Sequence, residues 1–159
     1  MHLGHQKVLK KLITKARKSD AESVLLTFFP HPRMILQKDM DIKLINTIDE
    51  RIALLEKSGL DVLIIQKFSK KLANRSALDF VRNILVKILH VERLYIGYDH
   101  HFGKNRLGNF EQLKEFSHTY NFKLKKISQE DINDIAISST KIRSALESGD
   151  IEKVNTFLG

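Results

Sequence analysis

Two histidines within the first five residues are spaced for chemistry on a phosphate group. His2 and His5 lie three residues apart, so a helix beginning here carries both on one face. Gly4 between them lets an anion approach the backbone closely, and a helix N-terminus offers free N–H groups and a positive dipole end. The segment therefore predicts a phosphate site with two extra donors, which could stabilise a transferring phosphoryl group. The alternative is a pair of solvated histidines at a frayed terminus.

A metal site is a competing interpretation of the same histidines. His2 and His5 could join His100 and His101 as ligands, but two-histidine spacings often arise by chance. The chain has no cysteine, which excludes disulfides, thiolate zinc sites and cysteine nucleophiles. We therefore expect no metal held by these side chains.

A second cluster of polar residues occurs late in the chain, where a helix should start. Of the hydroxyls of Ser138, Ser139 and Thr140, one can cap the helix, while the others and the backbone N–H groups bind phosphate oxygens. Lys141 and Arg143 fall in the first turn, where the helix dipole disfavours cations. A nearby anion would explain them; an ordinary serine cap with solvated basic neighbours is the alternative.

Residues 97–109 form a polar segment directly after a predicted strand, the kind of loop in which binding groups concentrate. Gly97, Gly103 and Gly108 permit tight turns and the close approach of a ligand. Asp99 could accept from a sugar hydroxyl or help to hold Mg²⁺. A plain surface loop is the alternative.

The run Phe29-Pro30-His31-Pro32-Arg33 follows another predicted strand. Two prolines around one residue favour a stiffened turn that holds His31 and Arg33 over the edge of the sheet. A rigid connector without a binding role would look the same.

The elements that must position these groups alternate between strands and helices. Apolar runs predict strands at 23–29, 61–66, 92–96 and 122–127. Amphipathic spacing and helix-end residues predict helices at 5–18, 76–89, 110–120, 139–148 and 151–158, with Ser76 as the cap of the helix at 76–89. A further helix is predicted to begin at the Thr47–Glu50 capping box and to end at Gly59.

This alternation predicts an α/β fold, a doubly wound, Rossmann-like parallel sheet with helices on both faces, in a single domain over residues 1–159. Ligands of such sheets bind at the carboxyl ends of the strands. The loops after Phe29, after Ile96 and before Ser139 should therefore face one site. A strand normally precedes such a first helix and nothing precedes Met1, so we expect the first strand to be missing and the chain to be a fragment.

Composition narrows the functional class. The chain has 159 residues with 42% apolar residues, enough for one buried core. Its 27 Lys and Arg outnumber 19 Asp and Glu, and the net charge of +8 favours an anionic partner. No apolar run has the length of a membrane span, the N-terminus lacks the apolar core of a signal peptide, and the absence of cysteine fits a reducing compartment. We expect a cytoplasmic protein with no membrane partner.

Three stretches, VLLTFFPHPR, IGYDHHFGKNRLGN and ISSTKIRSALESGDIEKVNTFLG, resemble one family in order and spacing. They are similar to the N-terminal adenylyltransferase domain of the bacterial bifunctional riboflavin kinase/FMN adenylyltransferases, or FAD synthetases. HLGH and ISSTKIR also resemble the two signatures of the wider nucleotidylyltransferase superfamily. The resemblance covers essentially the whole chain.

The resemblance implies adenylyl transfer: the FMN phosphate attacks the α-phosphorus of ATP in line, pyrophosphate leaves, and Mg²⁺ accompanies the triphosphate. It also implies roles. His2 and His5 contact the ATP phosphates, Ser139 and Thr140 hold the β- and γ-phosphates with help from Arg143, and Gly97 and Asp99 seat the nucleotide. The remaining residues implied in binding are Gly4 and Ser138 on the phosphate side and Phe29, Pro30, His31 and Arg33 on the flavin side.

The family pattern further implies a strand leading into the first helix and a riboflavin kinase domain in the full-length parent. Two alternatives stay open. A sister nucleotidylyltransferase would share HLGH and the serine–threonine segment but use another acceptor. A basic nucleic-acid-binding module would bind oligonucleotides in a salt-sensitive way, although the cations are spread along the chain and no run of aromatics suggests a stacking platform; we expect no nucleic-acid partner.

Overall fold

A computed structural model describes residues 1–36, 43–97, 101–127 and 137–159. These residues divide into two compact units. The first unit comprises residues 1–67 with 137–159, and the second comprises residues 68–127. Most of the predicted phosphate-binding residues belong to the first unit; the single-domain assignment stays a prediction.

Helices and strands alternate along the chain as predicted. In chain order they are α1 (Leu3–Arg17), β1 (Val24–Phe29), α2 (Pro32–Leu36), α3 (Ile48–Lys57), β2 (Val62–Lys67), α4 (Lys70–Ala73), α5 (Ala77–Phe80), a π-helical segment (Val81–Val86), β3 (Arg93–Gly97), a 3-10 turn (Lys104–Arg106), α6 (Phe110–Thr119), β4 (Lys123–Ile127), α7 (Ser139–Glu147) and α8 (Ile151–Leu158). Within the described part of the chain, no helix is both long and apolar enough to cross a membrane.

The strands pair in parallel, which confirms the α/β class. β1 pairs with β2 from Val24 opposite Val62 onwards, and β3 pairs with β4 from Arg93 opposite Lys123 onwards. Where the sequence predicted one sheet, the described strands form two two-stranded sheets. Because every strand of such a pair is also an edge, the apolar runs are only partly buried, and Val24 retains 36% of its exposure.

The first unit has an apolar cluster between α1 and α3. Leu9 and Ile13 of α1 and Leu55 of α3 are buried together, and Leu25 of β1 and Leu63 of β2 pack against them. Leu9 and Ile13 recur at helical spacing, so the apolar face of α1 is the face that contacts α3. We call Leu9, Ile13 and Leu55 the α1–α3 cluster.

A second cluster joins the start of α7 to the start of α1. Ile137, Ile142, Ala145 and Val154 are buried together, and Leu3 packs against them. The Gln6 side chain also donates to the carbonyl of Leu158 at 3.0 Å. Through these contacts the first turn of α1 lies against α7 and the end of α8.

In the second unit, the helix predicted at 76–89 is divided. Ser76 caps it as expected, its hydroxyl accepting from the N–H of Asp79 at 3.0 Å, but α5 continues as the π-helical segment. Val81 and Leu85 of that segment are buried, and they form the core of this unit with Ile96, Leu113 and Phe122.

Local end signals act as the sequence predicts. The Thr47 hydroxyl accepts from the Glu50 N–H at 3.2 Å, and the Glu50 carboxylate accepts from the Thr47 N–H at 2.9 Å, completing the capping box of α3. Gly59 and Gly149 follow α3 and α7 with φ of 77° and 73°, the left-handed conformation that favours glycine after a helix.

The starts of β1 and β2 are joined by one side-chain pair. Ser23 is 1% exposed, and its N–H and hydroxyl donate to Asp61 Oδ2 at 2.8 and 2.6 Å. The Asp61 N–H donates back to the Ser23 hydroxyl at 3.1 Å. The hydroxyl and then the backbone N–H of Ser23 lower the pKa of Asp61, because both bonds favour the ionised carboxylate.

We expect Asp61→Asn to weaken the pH dependence of stability in acid. Because the pKa of Asp61 is lowered on folding, its contribution is present above the unfolded value of about 3.9 and is lost as pH falls through the lowered folded value. Urea denaturation at about pH 6 and about pH 3 should therefore show a smaller loss of unfolding free energy in Asp61→Asn than in the unsubstituted chain. The exposed Asp20→Asn is the charge-matched control, and identical losses in all three proteins would contradict the assignment.

Candidate phosphate-binding site

The first turn of α1 holds the predicted histidine pair. The helix begins two residues earlier than predicted, with His2 as its N-cap in extended conformation (φ −87°, ψ 163°). The N–H groups of His5 and Gln6 bond to the carbonyl of His2 at 2.9 and 3.2 Å. The His2 side chain makes no capping hydrogen bond, so the N–H groups of Leu3 and Gly4 remain available to a ligand. Gly4 is buried in this turn.

The two imidazole rings are stacked, with centroids 3.8 Å apart and planes 22° from parallel. His2 is only 7% exposed, and its Nδ1 is buried with no hydrogen-bond partner among the described residues. A buried polar atom without a partner costs free energy that a hydrogen-bonding ligand would recover. The unpartnered Nδ1 of His2 therefore favours ligand binding at the N-terminus of α1.

The pKa of each histidine lies below its ordinary value, which favours the neutral imidazole. Burial, then the positive charges of His2, the terminal amine and Arg51, lower the pKa of His5 to about 4. Burial and the terminal amine also lower the pKa of His2. The His5 side chain is nevertheless exposed to solvent, so a ligand can reach its ring. Each neutral ring carries one N–H donor and one acceptor nitrogen.

The start of α7 supplies hydroxyls and a cation. The Ser138 hydroxyl accepts from the Lys141 N–H at 3.3 Å, so among the three predicted hydroxyls Ser138 is the cap. The Arg143 guanidinium donates to the Thr140 hydroxyl at 3.3 Å, and Ser139 is half-buried beside them. The contact of Leu3 with the cluster around Ile142 brings this turn toward the histidine pair.

The segment after β1 also belongs to this side of the unit. Pro32 starts α2, a short helix that the sequence did not predict; proline suits a first helical position because the N–H that it lacks would have no partner there. The Arg33 N–H donates to His31 Nδ1 at 3.2 Å. Phe29 ends β1 with 38% of its surface exposed, and Pro30 is half-buried.

Three arginines lie close enough to His31 to affect its pKa. Burial, followed by the positive charges of Arg33, Arg51 and Arg143, lowers its pKa. Three helices, α2, α3 and α7, thus each bring one arginine within electrostatic range of the same imidazole. Arg33 and Arg143 were predicted from the sequence as site residues, but Arg51 was not. The signal was present, since Arg51 precedes Leu55 by one helical turn and is therefore a cation on the apolar face of α3.

The glycine-rich segment lies in the second unit and is described only in part. Gly97 ends β3, whereas Asp99 and His100 fall outside the described residues. A Cβ on Gly103 (φ 71°) would lie 2.8 Å from the backbone N of Ala77, and one on Gly108 would lie 2.7 Å from the carbonyl oxygen of Phe102. At these two glycines the predicted close approach is therefore made by the protein's own backbone.

In the first unit, helix N-termini, neutral histidines, hydroxyls and arginines gather on one side. Such groups bind and orient phosphates and stabilise charge that develops on them. Within the described ranges, no three His, Asp or Glu side chains lie close enough to hold a metal ion. Fold and site together define a Rossmann-like α/β protein with a candidate polyphosphate site.

Comparison with known proteins identifies the family. The model of the FAD synthetase family matches residues 1–141, and the chain belongs to this family. Bifunctional riboflavin kinase/FMN adenylyltransferases are 37% identical in Buchnera aphidicola subsp. Schizaphis graminum, 31% in Listeria monocytogenes and 28% in Escherichia coli K12. Each comparison covers 100% of this chain and 50–51% of the relative, so the chain spans about half the length of these relatives.

A solved structure is similar over almost the whole chain. It is described as a macrolide-efflux protein from Streptococcus pneumoniae, and its TM-score is 0.80 with 25% sequence identity. The match covers 99% of this chain and 52% of that protein. The fold similarity supports the Rossmann-like assignment.

We expect the imidazole of His5 to titrate near pH 4, well below the ordinary value of about 6.5. Because the unfolded chain then binds more protons between these two values, the free energy of unfolding should increase with pH across this range. Histidine NMR signals followed against pH, assigned with a His5→Gln variant, give the midpoint directly. A His5 midpoint at the ordinary value would contradict the described surroundings of the ring.

Proposed function

We propose that this chain transfers the adenylyl group of ATP to FMN, forming FAD and pyrophosphate. The observation that carries the proposal is the stacked histidine pair at the start of α1, with the buried and unpartnered Nδ1 of His2. Family membership supports the choice of reaction and substrates. The relatives are named for FMN adenylyl transfer, and the matched family is that of the FAD synthetases.

In the proposed reaction, an oxygen of the FMN phosphate attacks the α-phosphorus of ATP. The new phosphorus–oxygen bond forms as the bond to the β-phosphate oxygen breaks, and pyrophosphate leaves with the electron pair. No covalent enzyme intermediate is required, so the protein contributes positioning and charge stabilisation. His2 and His5 donate to the ATP phosphates, and Gly4 allows the phosphates to approach the first turn of α1.

The start of α7 is proposed to hold the departing phosphates. Ser139, Thr140 and the first N–H groups of α7 bind the β- and γ-phosphates, and Arg143 neutralises their charge. Ser138 acts through its backbone, because its hydroxyl already caps the helix. Gly97 and Asp99 are proposed to seat the nucleotide, and Phe29, Pro30, His31 and Arg33 to border the flavin.

Mg²⁺ is proposed to enter with ATP, coordinated by its phosphates. The described groups beside the histidine pair are cations, neutral rings and hydroxyls, a donor set that does not suit a divalent cation. The nearby carboxylate of Glu50 accepts from Thr47 and Asn46 in the α3 capping region. The prediction that Asp99 helps to hold Mg²⁺ concerns a residue outside the described ranges.

The names of the relatives pair this activity with riboflavin kinase. We propose that a riboflavin kinase domain is the partner that supplies FMN, since phosphorylation of riboflavin yields the acceptor required here. The cytoplasm, where ATP and reducing conditions coexist, is the proposed location.

The first test is formation of FAD from FMN and Mg-ATP, measured by chromatography together with pyrophosphate release. His5→Ala is expected to lower kcat by roughly 100-fold or more, as for loss of one donor to a charged transition state. FMN affinity, measured by flavin fluorescence, should change little because His5 acts on the triphosphate. His118→Ala, an exposed histidine on α6, is the matched control and should retain activity.

Other outcomes separate the alternatives. Collapse of FMN affinity with unchanged turnover would overturn the role proposed for His5. Adenylylation of a different phosphate acceptor, with none of FMN, would indicate a sister nucleotidylyltransferase. Salt-sensitive oligonucleotide binding without any adenylyl transfer would favour the nucleic-acid-binding module.

A further inference from the structure

Helical periodicity places Arg51 beside His5. Leu9 and Leu55 share the α1–α3 cluster, and His5 and Arg51 each precede one of these leucines by four residues. Residues four apart lie on the same helical face. α1 leads into β1 and α3 leads into β2, and these strands are parallel neighbours. The first turns of both helices therefore lie at the same end of the pair, with Arg51 on the side facing α1.

The effects of the Arg51 charge on two histidines narrow its position further. Its guanidinium is among the charges that lower the pKa of both His5 and His31, after burial. Arg51 is therefore near the histidine pair of α1 and near the segment that follows β1. Residues of the Pro30–Arg33 segment are proposed to border the flavin, and His5 is proposed to contact ATP, so Arg51 reaches the region where the two substrates would meet.

Arg51 is half-buried and has no ion-pair partner among the residues that the structure describes. The charged groups that face His31 besides Arg51 are Arg33 and Arg143, which are also cations. The Glu50 carboxylate shares the first turn of α3 with Arg51 but accepts from Thr47 and Asn46. The three arginines around His31 therefore still repel one another. A bound anion would convert this repulsion into attraction, and a guanidinium presents a planar fork of donors that matches two phosphate oxygens.

We propose that Arg51 is an additional phosphate-binding residue of this site and contacts a phosphate lying between His5 and His31. This inference rests on the proposed function for the identity of that phosphate, which is either part of the ATP triphosphate or the monophosphate of FMN. Both sources present the same chemistry to a guanidinium, and binding measurements can distinguish them.

The test compares Arg51→Gln and Arg51→Lys with the unsubstituted chain in calorimetric titrations. Pyrophosphate probes the nucleotide side; FMN compared with riboflavin probes the acceptor phosphate. Arg51→Gln should weaken binding of pyrophosphate or of FMN by roughly tenfold or more, the loss expected for one charge-assisted hydrogen bond. Riboflavin affinity should not change. Arg51→Lys should bind with intermediate affinity, because lysine keeps the charge but loses the fork.

Two controls distinguish a ligand contact from a structural role. Lys57→Gln removes an exposed cation from the other end of the same helix and should leave both affinities unchanged. The His5 midpoint measured by NMR should rise in Arg51→Gln, because a positive neighbour has been removed. If Arg51→Gln does not fold, as judged by circular dichroism, the comparison is made with Arg51→Lys.

Unchanged affinities for both pyrophosphate and FMN in the folded variant would overturn the proposal, even if the His5 midpoint moves. Equal losses in Arg51→Gln and Lys57→Gln would also overturn it, since they would indicate general electrostatics. If the unsubstituted chain forms no FAD but still binds pyrophosphate in an Arg51-dependent way, the proposed function fails and the assignment of Arg51 stands.

Discussion

The packing of α1 against α3 is the interaction on which the candidate site depends. Leu9 and Ile13 of one helix and Leu55 of the other are buried together, and burial of each such side chain contributes about 1.5–3 kcal/mol. One turn beyond this cluster, His5 and Arg51 occupy the same faces of their helices. The apolar contact therefore fixes where the imidazole of His5 and the guanidinium of Arg51 lie relative to each other.

The sequence predicts most features that depend on neighbours in the chain. The Thr47–Glu50 capping box, a hydroxyl cap at the start of α7 and the bounds of α8 were predictable because each involves residues within a few positions of one another. The histidine spacing likewise needs only the start of α1. These local interactions also explain why the amino-acid sequence alone is enough to select His2, His5 and the serine–threonine turn as candidates.

Features that depend on packing between elements were not predictable in this way. Arg51 belongs to no motif. The sequence marks it only as a cation on the apolar face of α3, and the packing of α3 against α1 is needed to place that face toward His5. The roles of Gly103 and Gly108 were incompletely predicted for the same reason, because the atoms that approach them belong to Ala77 and Phe102. The division of the 76–89 helix into α5 and a π-helical segment has no local sequence signal either.

The choice of histidine rather than lysine at the start of α1 follows from the surrounding charge. Arg51 acts on His5, and Arg33, Arg51 and Arg143 act on His31, so another permanent cation in the first turn would add repulsion. A histidine whose pKa is lowered to about 4 adds none at neutral pH, yet its neutral ring keeps one N–H that can donate to an anion. An arriving anion would raise that pKa again, because it stabilises the protonated ring. The histidine pair thus supplies hydrogen-bond donors that are uncharged at neutral pH. Their protonated, positively charged form is favoured mainly when a bound anion balances the charge.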